Sequence, residues 1–219
     1  MARLLKILSG EETIRLYLDF LARNNHTDLL VLKTTKDALD GRSSIYHNAL
    51  TLQNAFMHSG TASDVFLRNN LDWLGRASNW GKFSVTASLG VINKGNTWDA
   101  MRLLGPYLPT QGGEGSSGPY SEGGALYALG LINAGRGKDV VGYLRDKLKE
   151  ATSEIVQHGA ALGLGVAGMA SGNAGSSHHN FLSRYICLQF YQMHTRTFGQ
   201  LCSPTLRSPV RRVDTPWVY

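Results

Sequence analysis

The apolar and small residues of this chain follow a pattern that returns about every three dozen positions. Its two clearest copies read ASLGVINKG and YALGLINAG, and with two fainter copies they lie at residues 87–95, 127–135, 54–60 and 162–167. The aligned positions, spaced by 35, 40 and 35 residues, are Ala55, Gly90, Gly130 and Gly165. A fixed period of this length is typical of solenoids and related repeat arrays. We therefore expect an all-α fold, an open arc of three to four helical hairpins.

Each period from Ser44 onward is expected to contain two helices joined by a turn. The first helix ends near a glycine, which suits a left-handed position after a helix C-terminus, at Gly60, Gly95 or Gly135. Asn93 and Asn133 precede that glycine in two copies and are expected to take part in the turn. The second helix should begin near polar residues 61–64, 97–99 and 138–139, where acids favour the positive end of a helix.

Small residues recur at a spacing of four along the first helix of the later pairs. Gly124 and Ala128 are one example, and Gly159, Gly163 and Ala167 are another. This spacing places them on one helix face, where a second backbone can come unusually close. Since an interior glycine costs up to about 1 kcal/mol relative to alanine, tight packing between helices is the expected compensation.

The residues before the repeats are predicted to form a helical pair. Ser9 and Glu12 have the spacing of a capping box, with Ser9 as the N-cap of the first helix. An apolar stripe follows at helical spacing, formed by Ile14, Tyr17, Leu18 and Leu21. That helix should stop near Asn24, and Thr27 or Asp28 should start the next one.

Composition and charge divide the chain into a repeat body and a different tail. The net charge is +6, but residues 176–219 carry five arginines against one acid, so the first 175 residues contribute only +2. A nearly neutral body lacks the basic stripe of a nucleic-acid-binding protein. No apolar run is long enough for a membrane span. The predicted regions are a helical pair at 1–43, repeats at 44–175 and a basic, poorly ordered tail at 176–219.

One segment has the letters of a dinucleotide-binding motif, because residues 163–168 match G-x-G-x-x-G. That chemistry requires a strand before the motif and an acid about twenty residues after it. No Asp or Glu occurs between Glu154 and Asp214. The segment also aligns with the residues around Gly130, where the motif is missing. Because a lone match of this motif is weak evidence, a packing role is favoured over dinucleotide binding by roughly twenty to one. The glycine-rich residues 112–118 lack the lysine of a phosphate loop and are expected to be a surface loop.

The sequence gives little evidence for any other metal-binding, catalytic or ligand-binding site. The possible metal ligands near the end of the chain have spacings that match no zinc pattern: His178, His179, Cys187, His194 and Cys202. No serine or cysteine lies in a nucleophile elbow. Large aromatic residues at repeat junctions more often pack helices together than bind ligands, and they are Trp73, Trp80 and Trp98. We predict no catalytic, cofactor-binding or metal-binding residues and no cofactor.

Segments longer than the repeated motif make the chain similar to a known protein family. They read KILSGE, FLARNN, FMHSGT, NWGKF and EGGALYALGLI, at residues 6–11, 20–25, 56–61, 79–83 and 122–132. In these segments, and over about residues 6–169, the chain resembles the large proteasome/cyclosome (PC) repeat scaffold proteins of the proteasome regulatory particle. The resemblance implies paired helices of a ring-like array and a non-enzymatic scaffold that supports degradation of ubiquitinated proteins.

The resemblance also implies partners and a place in the cell. The expected partners are the ATPase ring, the lid and ubiquitin-handling proteins, with no nucleic acid and no membrane. The expected location is the cytoplasm and the nucleus. A free-standing helical-repeat adaptor for other proteins is the alternative, because the same pattern allows it.

The tail departs from the family pattern after about Ala170. Three or four repeats are too few to close a ring, and the outer helix expected after the last inner helix is replaced by a basic segment that contains proline. We expect a truncated, alternatively spliced or mis-spliced product, whose last forty or so residues are read from other sequence. Comparison of the transcript with its genomic exons tests this expectation.

Overall fold

The fold is all-α, as the repeat pattern predicted. A computed structural model describes residues 2–39, 43–109 and 118–169, and no strand occurs in these ranges. The helices are α1 (Ala2–Leu8), α2 (Glu11–Arg23), α3 (Leu29–Ala38), α4 (Ser44–Met57), α5 (Val65–Arg68), α6 (Leu71–Gly75), α7 (Trp80–Ile92), α8 (Ala100–Leu104), α9 (Pro119–Ile132), α10 (Lys138–Glu150) and α11 (Glu154–Ala167). None of the helices described is both long and apolar enough to cross a membrane.

Four helices form an inner row. α4 packs against α7, α7 against α9, and α9 against α11, in chain order. These four helices contain the four copies of the repeated pattern, and the remaining helices connect them or cover them. α9 is buried nearly all round because it has a neighbour on each side and α8 and α10 against it. A helix in that position must be apolar or small on every face.

Two apolar clusters hold the row together. The larger one lies around α9 and includes Leu104, Leu126, Leu129, Leu144 and Leu164, all at most 1% exposed. The smaller one joins α3, α4, α5 and α7 through Leu32, Leu50, Phe66, Leu67 and Ile92. Burial of each large aliphatic side chain stabilises the fold by about 1.5–3 kcal/mol relative to exposure. The second helix of each hairpin therefore supplies the outer wall of the core.

The outer helices are less regular than the sequence pattern predicted. The third period has the expected long helix α10, but the first is broken into α5 and α6. Asn70 explains the break, because its Nδ2 donates to the Phe66 carbonyl oxygen at 2.7 Å and so replaces a backbone donor. In the second period α8 continues only as a 3₁₀ turn at Gly105–Tyr107, since Pro106 cannot donate to the helical ladder.

The capping box predicted at Ser9 is wrong. An earlier helix, α1, extends to Leu8, so Ser9 lies at its C-terminal end and its Oγ donates to the Lys6 carbonyl oxygen at 3.0 Å. Gly10, at φ 74°, is the residue that separates α1 from α2, and Glu12 pairs with Arg15. The sequence spacing fitted a cap, but it did not reveal that a helix already preceded the serine.

The other boundaries of the helical pair are confirmed. α2 ends at Arg23 with Asn24 as its C-cap. Asp28 is the N-cap of α3, and its Oδ1 accepts a hydrogen bond from the Leu30 N–H at 2.8 Å. A carboxylate in this position satisfies one of the free N–H groups of the first turn.

Candidate functional site

The contact between α7 and α9 depends on glycine. A Cβ added to Gly90 would lie 2.5 Å from the Ala128 Cα, and one added to Gly124 would lie 2.5 Å from the Phe83 carbonyl oxygen. Real Cβ atoms do not approach backbone this closely, so neither position accepts a side chain without a shift of a whole helix. The two backbones therefore touch, as the small-residue spacing predicted.

The contact between α9 and α11 is of the same kind. A Cβ on Gly123 would lie 2.6 Å from the Ile155 carbonyl oxygen. A Cβ on Gly159 would overlap the backbone of Gly123, and one on Gly130 would overlap that of Gly163. Because both helices lack side chains at the crossing, the loss of helix propensity at these glycines is offset by dispersion contacts over the whole interface.

Backbone hydrogen bonds connect each repeat to the next at the turns. The turn glycines are left-handed, with φ 71° at Gly60, 89° at Gly95 and 71° at Gly135. Their N–H groups donate to carbonyl oxygens near the end of the following inner helix, in the pairs Gly60–Val91 at 3.1 Å, Gly95–Ile132 at 3.0 Å and Gly135–Val166 at 3.4 Å. The last carbonyls of a helix have no partner within the helix, and the preceding repeat supplies one.

The two asparagines before the turn glycines act as predicted. Asn93 and Asn133 are buried C-cap residues of α7 and α9. Their Nδ2 groups donate to Leu89 O at 3.0 Å and to Leu129 O at 2.8 Å. In the first copy His58 takes this place, with Nδ1 3.0 Å from the Asn54 carbonyl oxygen. The turn geometry is thus the same although the residue type changes.

Helix α2 lies along the turns of the repeats. A Cβ added to Gly60 would lie 3.1 Å from Leu21 Cδ1, and one added to Gly95 would lie 3.6 Å from Ile14 Cγ2 and 3.7 Å from Leu18 Cδ2. A Cβ added to Gly10, just before α2, would meet the Arg136 side chain. The half-buried face of α2 therefore covers the turns of the first and second hairpins. Tyr17, which was assigned to the same stripe, is 66% exposed and does not belong to this contact.

Two of the three tryptophans pack helices together, as expected. Trp73 stacks on His47 with ring centroids 3.9 Å apart, and Trp80 contacts Phe83, Tyr120 and His158 edge-on or tilted. Trp98 is different, because it is 61% exposed and lines an open cleft beside α2. The prediction of a packing role for Trp98 is therefore wrong. Its place in the turn after Gly95 puts it on the surface.

Comparison with known proteins identifies this arrangement. The proteasome/cyclosome repeat family matches residues 124–157, which begin inside α9, include all of α10 and end inside α11. The 26S proteasome non-ATPase regulatory subunit 1 of Drosophila melanogaster is 56% identical over 169 residues. The chain therefore contains a proteasome/cyclosome repeat. The same stretch is 53% identical over 168 residues to the 26S proteasome regulatory subunit rpn2 of Schizosaccharomyces pombe.

The similarity to these relatives covers most of this chain but little of the relatives themselves. It extends over 77% of the chain and 16% of the Drosophila protein, or 17% of the fission-yeast protein. The Saccharomyces cerevisiae 26S proteasome regulatory subunit RPN2 is 44% identical over 177 residues, which is 18% of its length. The chain thus spans about a sixth of the length of these relatives.

The dinucleotide-like segment has a packing role. Residues 163–167 lie inside α11, with no strand before them. A Cβ on Gly163 would overlap the Leu126 carbonyl oxygen of α9, so the glycine is required by a neighbouring helix. Within the ranges described, no three His, Cys, Asp or Glu side chains are grouped closely enough to hold a metal ion. The remaining predictions concern residues outside those that the structure describes: residues 112–117 of the predicted surface loop, the tail at 176–219, and the possible metal ligands His178, His179, Cys187, His194 and Cys202.

Three titratable groups of α4 and α10 have shifted pKa values, each with a structural cause. Burial lowers the pKa of His47, whose Nε2 lies 3.2 Å from the Trp73 carbonyl oxygen. Burial raises the pKa of Tyr143, and a hydrogen bond to Glu150 raises the pKa of Lys147. Lys147 Nζ is 2.8 Å from Glu150 Oε2 and 5.9 Å from the centre of the Tyr143 ring. Tyr143, Lys147 and Glu150 thus interact locally along α10.

Proposed function

We propose that this chain is part of a non-catalytic scaffold of the 26S proteasome regulatory particle. The observation that carries the proposal is the row of inner helices packed in chain order, with backbone contacts from α7 to α9 and from α9 to α11. Such a row is stabilised by contacts between neighbouring repeats and presents an extended surface to other proteins. The printed names of the relatives, a non-ATPase regulatory subunit and regulatory subunits of the 26S proteasome, support the same assignment.

The proposed partners are the ATPase ring, the lid and ubiquitin-handling proteins of the regulatory particle, in the cytoplasm and the nucleus. In this role the chain performs no chemistry of its own and needs no cofactor. It contributes rigid surface to the ATP-dependent degradation of ubiquitinated proteins. The free-standing adaptor is less favoured, because 77% of the chain aligns with proteins named for the proteasome.

Affinity purification of the tagged, full-length chain from cells tests the proposal. We expect the ATPases of the regulatory particle among the co-purified proteins, in the presence of ATP. A matched pair of variants provides the control. Gly130→Ala places a Cβ in the Gly163 backbone, whereas Gly142 on α10 has open space around it.

Gly130→Ala should abolish the co-purification, and Gly142→Ala should leave it unchanged. If the soluble, helical wild-type chain recovers none of the ATPases but recovers other proteins, the adaptor function replaces the scaffold function. Circular dichroism of each purified variant establishes that the chain is folded before the result is interpreted.

A further inference from the structure

The first helix of the inner row has an exposed apolar face. α4 contains no Asp, Glu, Lys or Arg, although several of its side chains reach the surface. Its exposed apolar residues follow one another at spacings of four, three and four, and they are Ile45, Ala49, Leu52 and Phe56. Ile45 is 61% exposed, Leu52 47% and Phe56 71%. The spacing puts all four residues on one side of the helix, and we call them the α4 stripe.

A later helix of the row shows what this face contacts. Alignment of the repeated motif gives the α9 equivalents of the first three stripe residues, which are Tyr120, Gly124 and Tyr127. All three contact α7, the preceding inner helix. The ring centres of Tyr120 and Trp80 are 5.5 Å apart, and the Tyr127 ring stacks on Phe83 at 6.2 Å. A Cβ on Gly124 would lie 2.5 Å from the Phe83 carbonyl oxygen. The α4 stripe is therefore the face on which an inner helix receives the helix before it.

The helices that precede α4 in the described part of the chain leave this face open. α3 packs on another side of α4, where Leu32 and Leu50 belong to the smaller apolar cluster. α2 lies along the turns of the repeats, near Gly60 and Gly95. The stripe remains exposed with all three helices in place. An apolar face of the type that is buried between α7 and α9 is thus presented at the surface.

The α4 stripe is complementary to itself. In an antiparallel pair of helices related by a two-fold axis, each residue faces the one that lies equally far from the centre of the stripe. Ile45 then faces the partner's Phe56, and Ala49 faces the partner's Leu52. The small Ala49 leaves room for the leucine, so the two helices can approach closely. Because α4 has no charged side chain, the pairing brings no like charges together.

We propose that two copies of this chain associate through the α4 stripe, as an antiparallel pair about a two-fold axis. The partner's α4 takes the place that α7 has beside α9, with its direction reversed. Spacings of four and three residues are those of the apolar seam between two packed helices. One helix from each copy gives an interface at the small end of specific interfaces, so we expect a dissociation constant on the order of 10 μM. The inference goes beyond the proposed scaffold function, because the association needs no other protein.

Sedimentation velocity of the purified full-length chain tests the association, in a reducing buffer so that no disulfide contributes. Over concentrations below and above the expected dissociation constant, the chain should change from a monomer to a dimer and form nothing larger. A monomer at every concentration overturns the proposal. Species that keep growing beyond the dimer would indicate head-to-tail contacts and would overturn the two-fold pairing.

A pair of leucine variants tests the location. Leu52→Glu should weaken the dimer at least about tenfold, because it places a carboxylate in the apolar contact. Leu71→Glu makes the same change at a leucine of α6 that is 67% exposed and lies outside the stripe, and it should have no effect. Circular dichroism of each variant establishes that the helices are retained. A dimer that Leu52→Glu leaves intact, or equal losses in both variants, would place the contact elsewhere and overturn the proposal.

Mixtures of charge variants test the antiparallel arrangement. Ile45→Lys and Phe56→Glu should each weaken the dimer, because each puts a charge against an apolar side chain. Their mixture should associate at least about tenfold more tightly than either variant alone, since the new ammonium group of one copy faces the new carboxylate of the other. A mixture of Ile45→Lys with Phe56→Lys is the matched control and should gain nothing. A gain in the control mixture, or none in the first, would overturn the antiparallel pairing.

Discussion

The two ends of the inner row pack by different means. Between α9 and α11, glycines on both helices bring the backbones into contact, and almost every buried side chain is apolar or small. Near α7, α4 contains no glycine, and the buried residues of the helix and its C-cap include polar ones: His47, Thr51, Asn54 and the C-cap His58. The same period thus places equivalent helices next to each other, but the closeness of the contact depends on the residues at each crossing.

Asn54 shows the difference most clearly. The equivalent positions of the later inner helices are leucines: Leu89 is partly buried, and Leu129 and Leu164 are almost fully buried. Asn54 is 0% exposed, and neither its Nδ2 nor its Oδ1 has a hydrogen-bond partner. An unpaired buried amide costs about 1–3 kcal/mol. We infer that the α4–α7 contact is the less stable of the two.

The largest effect is expected from a methyl group at the tight contact. Gly130→Ala should destabilise the fold by about 3 kcal/mol, because the added Cβ overlaps the Gly163 backbone and overpacking of this kind costs about 1–3 kcal/mol. Gly142→Ala, with open space around the added carbon, should stabilise by up to about 1 kcal/mol through helix propensity. Urea unfolding followed by circular dichroism measures both. Equal effects of the two variants would contradict backbone contact between α9 and α11.

A leucine at position 54 should make the α4–α7 contact more like the later ones. Asn54→Leu should raise the free energy of unfolding by about 1 kcal/mol, because it removes an amide that has no partner. Asn133→Leu is the matched control and should lower it by about 1 kcal/mol, since Asn133 Nδ2 bonds to Leu129 O. A loss of stability in the Asn54 variant as large as that in the Asn133 variant would show that the amide is satisfied in solution.

A glycine of the looser contact should accept a side chain. A Cβ on Gly81 would lie 3.4 Å from Ala77 Cβ and 3.6 Å from Asn48 Oδ1, which are ordinary contact distances. Gly81→Ala should therefore stabilise the chain by several tenths of a kcal/mol, up to about 1. Thermal unfolding beside Gly124→Ala, which should destabilise strongly, tests the comparison within one experiment. A fall in the melting temperature of the Gly81 variant would remove the distinction.

The smallest expected effect is a dependence on pH confined to the looser contact. Burial lowers the pKa of His47 in the folded chain, so the unfolded chain binds more protons as the pH falls below the ordinary value of about 6.5. Stability should then decrease as the pH falls through that value. His47→Gln should flatten this part of the profile. The same slope in both proteins would assign the effect to other groups.

The sequence was sufficient for the repeat, because its signals are local. Glycine spacing predicted which faces touch, and the common place of Asn93 and Asn133 predicted their role in the turns. Features that depend on contacts between distant residues were not predicted from the sequence. The position of Trp98 depends on how α2 covers the turns, and the break between α5 and α6 depends on one Asn70 side chain.

The turn hydrogen bonds have a consequence for synthesis on the ribosome. The Gly60 N–H cannot form its hydrogen bond until the Val91 carbonyl has been synthesised, and the Gly95 N–H likewise needs the carbonyl of Ile132. Each hairpin therefore stays unfinished until the next inner helix has left the exit tunnel. Folding of the nascent array is therefore completed one repeat later than synthesis, and the most recently synthesised hairpin is the one that would be accessible to chaperones.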